Sequence, residues 1–141
     1  MRITAKADYA CVAMLELAAN YQESQPVRIK TIADAHGIAV RFLVQILLQL
    51  KTAGLVTSER GTGGGYKLAR PPAQISLADV INAVAREQAA RPSVMSASSA
   101  VQALHSVWSE IQAQEQRSLE ALTLAELGRR ARECYALSYQ I

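Results

Sequence analysis

The side chains best suited to chemistry in this 141-residue chain are donors and acceptors in its first half. Arg41 and Gln45 stand four positions apart, so a helix would place them on one face. Arg60 directly precedes the glycine-rich run 61–65. An arginine can bond guanine O6 and N7, a glutamine can bond adenine N6 and N7, and an arginine on a thin loop can enter a narrow minor groove. The pattern therefore favours recognition of duplex DNA.

Plainer interpretations of the same residues stay open. Arg41 and Gln45 fit a solvated helix face, and Arg60 fits an ordinary surface charge. The glycine run could cradle a nucleotide phosphate, but it lacks the Gly-Lys-Ser/Thr ending and does not open a helix. Catalysis is not expected, because the chain has only two histidines and no Ser-His-Asp spacing or carboxylate pair on a glycine elbow.

The charge distribution favours a polyanionic partner for the first half of the chain. Residues 1–72 hold nine Lys and Arg against five Asp and Glu, whereas residues 73–141 hold six against seven. Each phosphate contact releases condensed counterions, although a mildly basic protein without such a partner has the same balance. The phosphate contacts that we expect are Arg2, Thr4, Lys6, Lys30, Lys51, Gly63, Gly64, Tyr66 and Lys67.

The elements predicted to position these residues are a first helix, a helix–turn–helix and a hairpin. The Ala- and Leu-rich segment 5–20 predicts a largely buried first helix. A helix over 29–35, a turn at Gly37 and a second helix over about 39–52 follow. That second helix is expected to end at Gly54. Its predicted buried face consists of Phe42, Leu43, Ile46, Leu47 and Leu50, with Arg41, Gln45 and Gln49 on the other side.

Two short strand patterns, 55–60 and 66–69, flank the glycine run and predict a two-stranded wing. Ser76 and Asp79 predict a capping box for a helix through about Arg86. The predicted fold is mainly α: a winged helix–turn–helix domain over 1–87, a flexible loop over 88–100 and a long helix over 101–122. A C-terminal helix and tail over 123–141, opened by a second capping box at Thr123, is expected to be short and to pack on the core or fray.

The long helix carries apolar residues at near-heptad spacing, namely Leu104, Trp108, Ile111, Leu119 and Leu122. Such a stripe on a helix detached by a loop more often packs on another subunit than stands alone. The sequence therefore favours packing of this helix on another subunit.

Composition favours a cytoplasmic protein. Half the residues are apolar but only 5% are aromatic, which suits packed helices better than a β-sandwich. No apolar stretch reaches the roughly 18 residues of a membrane span, and the N-terminus lacks a signal-peptide pattern. The two cysteines, Cys11 and Cys134, form no Cys-x-x-Cys pair and are expected to pack as small apolar residues.

Three segments resemble the Rrf-two family of bacterial winged-helix transcription regulators: MRITAKADYA, GIAVRFLVQILLQLKTAGLV and RGTGGGYKLARPP. The resemblance covers about residues 1–130. It implies a homodimer whose long helix crosses its partner, and a palindromic DNA operator. By position, Arg41, Val44 and Gln45 fall where the family reads bases, and Arg60 falls where it probes the minor groove. Val44 stands where some relatives have an acid, so a contact with a thymine methyl is the alternative there.

Many relatives bind an iron–sulfur cluster through three cysteines before the long helix, but residues 88–104 of this chain contain none. Serines (Ser93 and one of Ser96, Ser98 and Ser99) and Gln102 stand near the expected ligand positions, and hydroxyls and amides hold clusters poorly. Asp8, Cys11 and His105 remain as sensor candidates, with His105 more simply a hydrogen-bonding helix residue.

No cofactor or metal is therefore expected, and the signal is left open. It could be a small ligand, a protein partner, or oxidation of Cys11 or Cys134. The leading function is a sequence-specific dimeric DNA-binding regulator. A winged-helix module that binds a protein, and a regulator with atypical cluster ligands, are the alternatives.

Overall fold

The computed structural model describes residues 3–23, 25–85 and 98–139. Its architecture is mainly helical with one two-stranded antiparallel sheet, which confirms the predicted fold class. The predicted contact Arg2, the helix end at Arg86 and most of the predicted loop 88–100 lie outside the described residues. The elements are α1 (Ala5–Ala19), α2 (Ile29–His36), α3 (Val40–Thr52), β1 (Val56–Glu59), β2 (Gly65–Leu68), a 3-10 turn (Pro72–Gln74), α4 (Leu77–Val84), α5 (Ser99–Ala121) and α6 (Leu124–Tyr139).

The core forms where α1 packs against α3, α4 and α6. Thr4 begins α1 by accepting a hydrogen bond from the Ala7 amide at 3.1 Å. Ala10 and Ala13 are fully buried beside Met14 and Leu17. Because alanine adds little volume, neighbouring helices can approach α1 closely. The helix–turn–helix and the wing are therefore packed on a tightly packed helical core.

The helix–turn–helix is formed by α2 and α3. Gly37 joins them with φ of +65°, and Gly54 follows α3 with φ of +78°, as predicted for both positions. Leu43, Ile46, Leu47 and Leu50 are buried. The prediction was wrong for Phe42, which is 45% exposed because it lies at the edge of the buried stripe.

The wing is joined to the helical body by a third strand-like contact. Val56 to Glu59 pair in antiparallel register with Leu68 to Gly65. Val27 and Tyr66 exchange two backbone hydrogen bonds of 2.8 Å. The wing is thus fixed beside the start of α2.

A capping box begins α4, as predicted. The Ser76 hydroxyl accepts from the Asp79 amide at 3.1 Å, and the Asp79 carboxylate accepts from the Ser76 amide at 2.9 Å. The same corner meets the junction of α5 and α6, where the Leu124 amide donates to the Ile75 carbonyl at 2.9 Å. This corner therefore joins the winged domain to the last two helices.

Ser76→Ala is expected to lower the free energy of unfolding by about 1 kcal/mol, because Ala cannot accept the Asp79 amide bond. Urea unfolding followed by circular dichroism measures the change. Ser109→Ala, on the exposed face of α5, is the matched control, with an expected change within about 0.5 kcal/mol. Equal stability of the Ser76→Ala variant and wild type would show that the box contributes nothing.

The last two helices differ in how they meet the core. Among its described residues α5 has none that is buried, whereas Leu124 at the start of α6 is fully buried. α6 is also longer than the short final helix predicted, since it continues to Tyr139 with Tyr135 and Leu137 exposed. No helix in the described ranges combines the length and apolar character of a membrane span.

Candidate nucleic-acid interface

The solvent-facing side of α3 carries the predicted base-reading residues. Arg41, Val44 and Gln45 are all exposed, and their spacing puts them on one face of the helix. Gln49 departs from the predicted exposed face because it is half-buried. Its Oε1 is buried without a hydrogen-bond partner in the described structure. The open face of α3 therefore extends from Arg41 to Leu48 and ends before Gln49.

An aromatic pair that the sequence did not predict supports this end of α3. The exposed ring of Phe42 stacks on Tyr9 of α1 with centroids 6.4 Å apart and planes at 27°. The Arg41 guanidinium lies 4.9 Å from the centroid of the Phe42 ring. Such a cation–π contact restricts the arginine without consuming its hydrogen-bond donors.

A surface cleft separates the helix–turn–helix from the wing. It gathers five residues of the predicted set, namely Lys30, Lys51, Arg60, Gly64 and Tyr66. Arg28, Ser58 and Thr62 also line it. The fold thus brings cations from α2, from the end of α3 and from the wing around one concave surface.

Polar contacts fix the cleft wall. Arg28 donates a hydrogen bond to the Thr62 carbonyl at the wing tip. Lys51 Nζ donates to Ser58 Oγ at 2.7 Å, which links the end of α3 to β1. These contacts tie the wing to both sides of the helix–turn–helix.

The cations of the wing and the cleft differ in how they are paired, and Lys67 on β2 is not one of the cleft-lining residues. Lys67 Nζ lies 2.9 Å from Glu59 Oε1, and both side chains are about half exposed, so this pair is screened by solvent. Within the described part of the chain, no ion pair engages Lys30 or Arg60. Lys30 and Arg60 are therefore the cations best placed to meet a phosphate anion.

Other predicted phosphate contacts lie apart from the cleft. Thr4 caps α1, Lys6 is half-buried on its first turn, and Gly63 is exposed on the wing tip. These residues are positioned by α1 and the wing tip rather than by the cleft wall.

The sensor candidates do not assemble into a metal site within one chain. In the ranges that the structure describes, no three His, Cys, Asp or Glu side chains approach closely enough to hold a metal ion. Asp8 is exposed, His105 is half-buried on α5, and Cys11 is half-buried on α1. Burial, with a smaller contribution from the Asp8 carboxylate, raises the pKa of the Cys11 thiol to about 11. Burial therefore disfavours the thiolate form of Cys11, which is the form that binds metals. Cys134 is free and exposed, contrary to the predicted packing.

Sequence reasoning missed Arg28 as a residue of the interface. It lies 34 positions from its partner Thr62, so no local pattern links the two. Its basic character, directly before α2, was the one available signal.

Comparison with known proteins gives a consistent family. The Rrf2 profile, described as an iron-dependent transcriptional regulator, matches residues 3–130. An HTH-type transcriptional regulator of Mycobacterium tuberculosis is 40% identical over 131 residues, which cover 90% of this chain and 81% of that protein. Escherichia coli IscR, also an HTH-type regulator, is 43% identical over 84 residues, which cover 60% of this chain and 51% of IscR.

Solved structures of other proteins are similar to this fold over nearly the whole chain. IscR of T. potens has a TM-score of 0.77 at 33% identity, covering 95% of this chain and 90% of its own. CymR, the global cysteine regulator of B. subtilis, has a TM-score of 0.78 at 28% identity. The match covers 92% of this chain and 98% of CymR. The similar proteins are regulators of transcription and not enzymes.

Proposed function

Because the chain belongs to the Rrf2 family of transcriptional regulators, we propose that it binds a palindromic DNA operator as a homodimer in the cytoplasm. The observation that carries this proposal is the exposed α3 face beside a cleft that gathers Lys30, Lys51 and Arg60. A helix fits the major groove and a wing reaches the groove beside it, so one protomer can contact two adjacent grooves.

In the proposed complex, α3 enters the major groove. Arg41 bonds a guanine, Gln45 bonds an adenine, and the Val44 methyl groups contact a thymine methyl. The Phe42 ring under Arg41 holds the guanidinium near one orientation, which reduces the entropy lost on binding. These three residues supply the direct reading of sequence.

The wing and the cleft supply position. Arg60 inserts into the minor groove, where a narrow width strengthens the negative potential. Lys30 and Lys51 contact phosphates on either side of the cleft. Gly63 and Gly64 are the proposed phosphate contacts at the wing tip. Arg2, Thr4, Lys6, Tyr66 and Lys67 complete the proposed phosphate contacts.

The proposed dimer is formed by α5. Leu104, Val107, Trp108 and Ile111 are 41–47% exposed and recur at three- and four-residue spacing. A second copy would cover this stripe, and a two-fold axis would place the two α3 helices in major grooves about 34 Å apart. That geometry requires a palindromic operator.

The residues of this chain do not fit an iron–sulfur cluster, although the family description names iron. Such clusters are held by several thiolates, and the whole sequence has two cysteines. Cys11 is half-buried on α1, whereas Cys134 is exposed on α6. We therefore propose a regulator that works without a cluster. Anaerobic purification with iron and sulfide assays tests this, and stoichiometric iron and sulfide would contradict it.

Alanine at Gln45 or at Arg60 is the direct test of base reading. The operator is first obtained by selection from random duplexes, and affinities are then measured at fixed salt for that operator and for random DNA. Each variant is expected to lose about tenfold in operator affinity and much less on random DNA, because each removes a sequence-dependent contact.

Lys30→Ala is the matched control, because no ion pair in the described structure engages Lys30 and the loss of its phosphate contact should weaken both duplexes alike. Equal losses on operator and random DNA in the Gln45 and Arg60 variants would remove the base-reading assignment.

Exposed apolar side chains on α3 favour a second candidate, a protein-binding module. Val44 and Leu48 are 51% and 60% exposed on the face assigned to DNA. This alternative predicts that no duplex is enriched in the selection at low salt, where phosphate contacts are strongest.

A further inference from the structure

A second cleft, of about 890 Å³, lies between α1 and α6 on another part of the molecule. It shares no lining residue with the wing cleft. Its volume is in the range of small-molecule sites. Its apolar wall is formed by Val12, Leu15, Ala18, Ala19, Leu124 and Ala131.

Four ionisable side chains also line the cleft, namely Glu16, His36, Arg132 and Tyr135. Glu16 Oε2 lies 3.0 Å from His36 Nε2, so the carboxylate already has a partner. Arg132 lines the cleft from α6. An apolar wall with a few convergent polar groups is the usual composition of a ligand site.

Arg132 differs from the other arginines of α6. Arg129 and Arg130 both bond Glu126, and Arg129 also pairs with Glu133. These bonds lower the pKa of Glu126 to about 2, so that carboxylate is ionised and holds both cations. No ion pair in the described structure engages Arg132. It is therefore the cation of α6 that is available to an anion.

Gly128 keeps this arrangement open. It lies inside α6, where glycine costs about 1 kcal/mol relative to alanine, and its φ is not positive. The backbone therefore does not require a glycine here. The nearest atom to a β-carbon at this position would be Nη1 of Arg132, at 3.5 Å. A side chain larger than alanine would fill the cleft and displace the guanidinium.

We propose that the α1–α6 cleft binds a small amphipathic monocarboxylic acid, with its apolar part on α1 and α6 and its carboxylate on Arg132. A carboxylate matches the guanidinium in charge and in bidentate geometry. An amine would find the Glu16 carboxylate already engaged by His36.

His36 also gives the cleft a route to the DNA-binding elements. It is the last residue of α2, directly before the Gly37 turn. A ligand that contacts His36 would shift the Glu16–His36 contact, which joins α1 to α2, and with it the placement of α2 on α1. This regulatory step rests on the proposed function, whereas binding of the acid does not.

Octanoate is the probe, titrated by calorimetry into the full-length protein without DNA, with octylamine and octanol as matched compounds. We expect saturable 1:1 binding of octanoate per chain, and binding at least about tenfold weaker for the amine and the alcohol. Arg132→Gln should weaken octanoate binding about tenfold or more. Gly128→Leu should abolish saturable binding, and because leucine favours helix the variant should fold.

Arg130→Gln is the control, since its guanidinium pairs with Glu126 away from the cleft wall, and it should bind octanoate as wild type does. Absence of saturable octanoate binding, equal binding of octylamine, or unchanged binding in a folded Gly128→Leu variant would overturn the proposal. Operator affinity is measured separately, so failure of DNA recognition would leave the binding result interpretable.

Discussion

Trp108→Glu is expected to separate the proposed homodimer into monomers and to lower affinity for the proposed palindromic operator by about two orders of magnitude. Trp108 lies at the centre of the exposed apolar stripe of α5. In a two-fold dimer each substitution occurs twice, so two carboxylates would be buried without partners against apolar surface.

The expected loss of operator affinity follows from the loss of the dimer. A dimer binds its second half-site as an intramolecular event, at a high effective concentration, whereas monomers bind each half-site independently. Sedimentation velocity at micromolar concentration measures the assembly, and operator titration measures the affinity. An isolated half-site should bind the variant and the wild-type protomer alike.

Ala113→Glu is the matched control, because it adds the same charge to the opposite, exposed face of α5. It should remain dimeric. The fold of the protomer is not at risk in either variant, since no described residue of α5 is buried in the protomer. A Trp108→Glu protein that still sediments as a dimer would show that another surface makes the pair.

Local signals correctly predicted the helix–turn–helix and the glycines that end its two helices. Gly37 and Gly54 adopt the left-handed conformation that their positions after α2 and α3 indicated. The Ser76–Asp79 capping box also formed as predicted. Each feature depends on a few neighbouring residues, so the sequence pattern contains the information it needs.

Contacts between distant segments were not predictable in the same way. Phe42 has the spacing of a buried residue, but it is exposed at the edge of the stripe and stacks on the half-buried Tyr9, 33 positions earlier. Arg28 meets Thr62 because the Val27–Tyr66 bridge sets the wing beside α2. Helical periodicity assigns faces and does not specify which distant element covers the edge of a face.

The length of α6 was underestimated although a local signal was present. Glu126 pairs with Arg129 and Arg130 at three- and four-residue spacing, and Arg129 pairs again with Glu133. Such pairs support a helix that buries little apolar surface. The prediction rested on the capping box at Thr123, which marks where the helix begins and does not specify where it ends.

Gly65→Ala is expected to lower the free energy of unfolding by about 2–3 kcal/mol and to reduce operator affinity about tenfold. Gly65 has φ of +153°, which L side chains rarely adopt. A β-carbon there would clash with the carbonyl group of Val27 and would lie only 3.0 Å from the backbone nitrogen of Arg28. The wing could accept alanine only by moving away from Val27.

That movement would break the two 2.8 Å hydrogen bonds between Val27 and Tyr66 and would shift Arg28 away from Thr62. Arg60 would then lose its fixed position beside the cleft, so specific binding should fall more than random binding. Urea unfolding measures the stability, and hydrogen exchange at the Val27 and Tyr66 amides reports the bridge directly.

Gly63→Ala is the matched control for the stability measurement. Nothing lies within 4 Å of a β-carbon at Gly63, and its φ is not positive, so its stability should stay within about 0.5 kcal/mol of wild type. If Gly65→Ala unfolded at the wild-type urea concentration with both amides still protected, the close approach of the wing to Val27 would not hold the interface together. The cleft would then have to be fixed by Arg28 and Lys51 alone.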